Sequence, residues 1–265
     1  MEIDGYYEIE GSGSPIVFIH GSFANTSSWK SMVSQLSANH QCILIKLPGH
    51  CGTPDPDDFA LPTVQTELAI VEQVVSLLTD QPIHLVGHSY GGVVALAQAL
   101  KGNLNLSQVT LFEPVASGVL DHMADVDMSI NVQQFWANYS HAVSEKTPYA
   151  CGQVIDFWCG GGTFESLPIF VRDVMDRLTE NNIRHWHAGY NDSIGSDLNQ
   201  LQQCTTPIRL VCGTQSSSVA KAICDCLVQG LPSSKKYTIE GASHFLVTSH
   251  PNECLSVLAD HSLLH

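Results

Sequence analysis

Residues 87–92, GHSYGG, set a serine among glycines in a G-x-S-x-G pattern. An apolar run, PIHLVGHS (82–89), leads into it, and a helical pattern, YGGVVALAQALKG (90–102), leaves it. A strand that turns this sharply into a helix strains the turn and lifts the Ser89 hydroxyl clear of the sheet. Side chains at Gly87 or Gly91 would collide with neighbouring backbone, and the amide nitrogens after Ser89 point into the same space at a helix N-terminus. Such a hydroxyl suits nucleophilic attack on an acyl carbon, given a base for its proton and donors for the oxyanion.

Both have candidates. In FIHGSF (18–23) a strand ending in His-Gly turns beside the serine, so the Ser22 N–H can join that of Tyr90 as an oxyanion hole. Removing one such donor typically costs about 10²–10³ in rate. His20 itself reads as a brace for the turn. The base is His244 in EGASHFLVTSHP, just past the last strand, where a loop can bring an imidazole over Ser89. His250, next to Pro251, reads instead as the start of the last helix.

The elements that must hold these groups alternate. Strands are expected over 6–10, 14–21, 40–50, 82–89, 106–114, 207–213 and 234–244. Helices are expected over 27–37 (opening at a serine cap), 63–80 (capped by Thr63), 90–102 (stopped by Gly102), 219–231 and from about 252. Short apolar strands separated by helices imply a mostly parallel sheet with right-handed crossovers. Helical segments, aromatic clusters and the glycine run CGGGT (159–163) interrupt the pattern over 115–204. The expected organisation is an α/β core, 1–114 and 205–265, carrying a mainly helical insertion. CGGGT lacks the strand-then-helix context of a phosphate loop and reads as a turn. RHWH (184–187) offers too few ligands for a metal and reads as a solvent-facing helix end.

With 265 residues and 44% hydrophobic content, the chain can build one large domain. Its net charge is −15, and its densest basic spot is Lys235-Lys236. That argues against nucleic acid, whose binding rests on neutralising phosphates. No apolar run approaches the roughly 18–20 residues that span a bilayer, and the acidic N-terminus does not resemble a signal peptide. The nine scattered cysteines, an odd number without zinc-type spacing, suggest reduced thiols in a cytoplasm. Oligomeric state is not legible.

Taken together, HGSF, LPGHCGTP, GHSYGG and GASHF stand in the order and near the spacing of the α/β-hydrolase superfamily, which the chain resembles over essentially its whole core. The resemblance implies the α/β-hydrolase fold with a helical lid, a Ser-His-acid triad and no cofactor or metal. Serine at position 89 sets the chain apart from the branches that attack with aspartate. In most members the acid follows the strand equivalent to 208–212 by a few residues, but here Gly213 is followed by Thr214, Gln215 and Ser216. Some branches place the acid one strand earlier, where this chain has Glu113 in VTLFEPVA. Its burial would be tolerable opposite the His244 imidazolium. Glu113 is therefore the favoured acid. Asp121, Asp225, a lid arginine paired with Glu113, or a dyad supported by a hydroxyl such as Ser216 remain open.

The expected activity is hydrolysis of a small or medium, largely apolar ester, thioester or related acyl compound. Some of Phe135, Trp136, Tyr139, Phe157, Trp158, Phe164, Phe170 and Trp186 would line its pocket. C–C bond hydrolysis, a non-hydrolytic reaction on the same scaffold, or ligand binding at a vestigial site are the alternatives.

Overall fold

The computed structural model describes residues 3–121 and 126–260. Seven strands form one sheet: β1 (Tyr7–Glu10), β2 (Ser14–Ile19), β3 (His40–Ile45), β4 (Ile83–His88), β5 (Leu106–Phe112), β6 (Ile208–Gly213) and β7 (Ser234–Ile239). Their order is β1-β3-β2-β4-β5-β6-β7. The short edge strand β1 runs antiparallel to β3, and all other pairs are parallel. β4 and β6 are buried along their full length, as strands covered on both faces must be. β7, at the opposite edge, is only half buried and carries Lys235 and Lys236, which suit an unpaired edge.

Alternation along the strands divides the core in two. Val17, Ile19, Ile43, Ile45, Leu85 and Leu210 face one layer, and Ile16, Phe18, Cys42, Leu44, Val86 and Val211 face the other. The first layer holds α2 (Gln65–Leu78), α3 (Tyr90–Lys101) and α10 (Ser218–Gly230). The second is closed by α1 (Lys30–Leu36), α11 (Leu246–Ser249) and α12 (Pro251–Leu258), with Trp29, Met32, Leu246 and Cys254 packed inside. Among the described residues between β5 and β6 lie the α-helices α4 (Val126–Ser144), α5 (Cys151–Cys159), α6 (Thr163–Ser166), α7 (Ile169–Arg177), α8 (Thr179–Asp192) and α9 (Leu198–Gln203). Their apolar side chains, among them Tyr139, Ile155, Trp158 and Met175, belong to the same continuous cluster as the first layer. No helix among the described residues is long and apolar enough to cross a membrane. No disulfide forms among the described residues.

Local details depart from the pattern-based expectation at helix starts. The segment expected as one helix from residue 27 opens with a 3₁₀ turn, Thr26–Trp29, capped by Asn25, whose side chain accepts from Ser27 N at 2.9 Å. α2 has no Thr63 cap; the Val64 N–H instead donates to Asp192 Oδ2 of α8 at 2.6 Å, a tertiary contact replacing a local one. Gly102 ends α3 in the left-handed conformation, φ +66°.

Candidate active site

The carboxyl ends of β2, β4, β5 and β6 and the loop after β7 converge on Ser89. Between β4 and α3 this residue has φ +55° and ψ −120°, a conformation that non-glycine residues adopt only under constraint. Close packing supplies the constraint. A Cβ on Gly87 would stand 2.2 Å from the Gly91 carbonyl oxygen, and one on Gly91 would stand 2.2 Å from that of Ile19. Ser89 N donates to Phe112 O at 3.0 Å, tying the turn to β5.

His244 faces Ser89. Its Nε2 lies 3.0 Å from Ser89 Oγ, and its Nδ1 lies 2.8 Å from Glu113 Oε2. Glu113 ends β5 with φ +44° and is 1% exposed. Its other oxygen, Oε1, accepts from Gly213 N at 2.8 Å and from the Ser216 hydroxyl. Burial alone pushes this carboxyl up, but the donors His244, Ser216 and Gly213 outweigh it and hold the group below the usual carboxylate range. The β6 tip that lacks a carboxylate thus supplies two of the hydrogen bonds that fix Glu113. Asp225 and Asp121 stand elsewhere: the first is exposed and paired with Lys236, and the second is exposed and accepts from Ser129 Oγ at 2.5 Å.

Two further rings hold His244. His88 Nε2 donates to the His244 carbonyl at 2.8 Å, and Trp158 of α5 stacks on the imidazole at 5.7 Å and 23°. Burial, then the neighbouring His244, drives His88 down to about 3, so it is a neutral spacer. His20 is likewise driven to about 3 by burial and by His50. It donates from Nδ1 to Gly21 O at 2.8 Å and accepts from Leu47 N at 3.3 Å, which is the bracing role expected of it.

Ser22 and Tyr90 flank the serine. Tyr90 opens α3, so its N–H has no partner within the helix. Ser22 is held through its carbonyl, 2.6 Å from His50 Nε2, and through its hydroxyl, 2.8 Å from His185 Nδ1. The expectation that RHWH forms a solvent-facing helix end is therefore wrong for its first half. Arg184 and His185 are 1% and 3% exposed, whereas His187 is exposed. Arg184 grips Asp58 with Nε and Nη2 (2.5 and 2.7 Å) and donates from Nη1 to Glu67 Oε1 at 2.5 Å. It is thereby engaged away from Glu113. His185 stacks on Tyr90 at 3.8 Å and 10°. Burial, then His50 and Arg184, hold it neutral, well below its ordinary value. The helix pattern was present in the sequence, but which face turned inward depended on Asp58 and Glu67, more than a hundred residues away.

Above Ser89 lies a cavity of about 260 Å³ whose apolar wall includes Val93, Ile155, Trp158, Met175, Trp186 and Phe245. Of the eight insertion aromatics singled out in the sequence, Trp158 and Trp186 line it; Phe164 is packed under Gly152, and Phe170 is 67% exposed. A strained serine, an imidazole and a buried carboxylate in hydrogen-bonded line at the floor of a largely apolar cavity are an arrangement that can carry out acyl transfer.

Residues 16–257 match the sequence model of the alpha/beta hydrolase family. The chain belongs to that family. Over 94% of its length this hydrolase is 24% identical to a pimeloyl-(acyl-carrier protein) methyl ester esterase of Aeromonas salmonicida, covering 95% of that protein. It is 23% identical, over 94% of its length and 75% of the relative's, to monoacylglycerol lipase ABHD6 of Homo sapiens. Among solved structures it is similar to an N-acyl homoserine lactone degrading enzyme, Est816, with a TM-score of 0.74 and 19% identity over 96% of this chain and 95% of that one. The enol-lactonase from Burkholderia xenovorans LB400 is similar at a TM-score of 0.70 and 17% identity, over 96% and 94%. At such identities the two structures attest the shared fold.

Pattern reasoning did not single out the part that α8 plays in the hydrolase. Asn182, His185, Trp186 and Gly189 follow the i, i+3, i+4, i+7 spacing of one helix face, and all four line the cavity. The spacing was a usable signal. It was missed because three of the four are not apolar.

Proposed function

We propose that the protein is a serine esterase acting on small or medium, largely apolar acyl esters or thioesters. Ser89 Oγ attacks the acyl carbon as its proton passes to His244 Nε2, while Nδ1–H stays bonded to Glu113 Oε2. The N–H groups of Ser22 and Tyr90 donate to the oxygen that becomes negative. His244 then protonates the departing alkoxide or thiolate, leaving the acyl group on Ser89. A water molecule, deprotonated by His244, attacks that acyl-enzyme and restores the serine. Glu113 holds the imidazole in the required tautomer and stabilises its charged form. Helices from the 115–204 segment act as the lid, with Trp158 and Trp186 in the acyl pocket.

The observation that carries this reading is the unbroken Glu113–His244–Ser89 line opening onto the apolar cavity. The ester and lipase activities named for relatives that align over nearly the whole chain support the bond class. The test is labelling with a fluorophosphonate probe together with 4-nitrophenyl esters of graded chain length. Wild-type protein should be labelled and turn over, and Ser89→Ala should do neither. A wild-type protein that is neither labelled nor active would be a ligand-binding protein on a hydrolase scaffold.

A further inference from the structure

The cavity wall is mostly apolar but also carries polar side chains, among them Asn25, Ser28, Ser117, Asn182 and Thr248. Asn182 on α8 is 3% exposed and lines the cavity. Its Oδ1 accepts from Tyr139 OH at 2.8 Å. Tyr139 is completely buried and has no other hydrogen-bond acceptor among the described residues, so its proton fixes the amide with the oxygen toward Tyr139 and the NH₂ turned away. Asn182 Nδ2 finds no acceptor among the described residues. The residue that carries it lines the cavity. Helix spacing places it there independently, on the face that carries His185, Trp186 and Gly189.

A buried amide donor with a fixed orientation and no protein partner carries a desolvation cost that a matching acceptor would remove. None of the described side chains provides that acceptor. We infer that the substrate does: the hydrolase selects acyl chains bearing a second hydrogen-bond acceptor, a carbonyl oxygen set along the chain away from the ester, which Asn182 Nδ2 receives. The inference rests on the acyl-ester reading of the same cavity. It narrows the substrate class from plain alkyl esters to oxo-acyl, acylamino or diester compounds. A site built to donate to a substrate oxygen rejects the analogue that lacks it more strongly than an apolar wall rejects an extra methylene.

Two readouts separate the two proposals. In the first, 4-nitrophenyl esters of straight acyl chains are compared with chains of equal length carrying a keto group at successive positions. Wild type should favour one keto position by about 5- to 100-fold in kcat/KM over the plain chain. Asn182→Asp keeps the acceptor for Tyr139 but presents oxygen instead of N–H to the cavity, and should bring that ratio to one or below. The pair Asn182→Leu with Tyr139→Phe removes both polar groups and should also level it, so a folding defect in one variant does not decide the matter. In the second, the Ser89→Ala protein binds the same keto and plain acyl esters, with Trp158 and Trp186 fluorescence as the signal. The keto preference should appear there without turnover. A preference in binding with no hydrolysis by wild type would overturn only the esterase reading. Hydrolysis with no preference at any keto position, or a preference that survives both sets of substitutions, would overturn the role of Asn182.

Discussion

Ser216 donates its hydroxyl to Oε1 of Glu113, the carboxylate whose other oxygen lies 2.8 Å from His244 Nδ1. The residue at the tip of β6, where the family more often carries its acid, is thus joined to a carboxylate that stands one strand away. Glu113 is held at three points, and its carboxylate tolerates burial because all three donors converge on it.

That contact predicts a rescue. Glu113→Gln should lower kcat by about 10³–10⁴, because an amide holds the imidazole in the wrong tautomer. Placing a carboxylate at the β6 tip of that variant, Ser216→Asp, should restore at least tenfold of the lost rate, since the side chain at 216 already touches the carboxylate that faces His244 Nδ1. Ser216→Ala alone should cost about 0.5–1.5 kcal/mol of stability and only a modest part of kcat, because Gly213 N–H remains on Oε1. Steady-state kinetics of the four proteins check this; a double variant no faster than Glu113→Gln would show that the two positions do not share one carboxylate site.

Ser89→Gly should raise stability while ending turnover. The serine's φ of +55° costs about 1–3 kcal/mol in a non-glycine residue, and glycine forfeits about 0.5–1 kcal/mol of that through its freer unfolded chain. The net expectation is a gain of about 1 kcal/mol, read as a higher denaturant midpoint. An unchanged or lower midpoint would mean that the turn is not strained.

Arg184 links the insertion to the loop and helix that carry Asp58 and Glu67. Burial pushes Glu67 up even against the pull of the guanidinium, so this carboxylate is poorly placed to lose its partner. Arg184→Met should cost about 3–5 kcal/mol. Adding Glu67→Leu should recover a substantial part of that, because the cost comes from an unpaired buried charge. Urea unfolding of the single and double variants decides it: additive losses would contradict a coupled pair.

Acid should destabilise the fold through His20 and His88. Both ordinarily titrate at 6.5 and are driven down to about 3 in the folded chain. Between those values the unfolded chain binds more protons than the folded one, so stability rises with pH across the window and is lost as pH falls through it. Each group contributes a slope of up to about 1.4 kcal/mol per pH unit. Glu113, held low in the folded state, adds to the loss only below the ordinary carboxylate range. His88→Gln keeps a donor for the His244 carbonyl without a titrating ring. It should flatten the profile between pH 6 and 4, measured by urea unfolding at successive pH values; parallel wild-type and variant profiles would contradict a neutral His88.

The sequence by itself determined whatever depends on neighbours in the chain. Alternating apolar strands and helices specified the parallel sheet, because period and burial are local properties of each segment. GHSYGG specified the turn at Ser89, because its glycines, its strand and its helix are contiguous. Tertiary structure decided everything that joins distant segments. His244 and Glu113 are 131 residues apart, Ser22 and His185 are 163 apart, and Arg184 is 126 from Asp58 and 117 from Glu67. A buried polar group must find a partner wherever the fold brings one within about 3 Å, and no local periodicity records which one that is. So the sequence left open the β6 serine, the inward face of α8 and the amide of Asn182, and packing assigned a position to each.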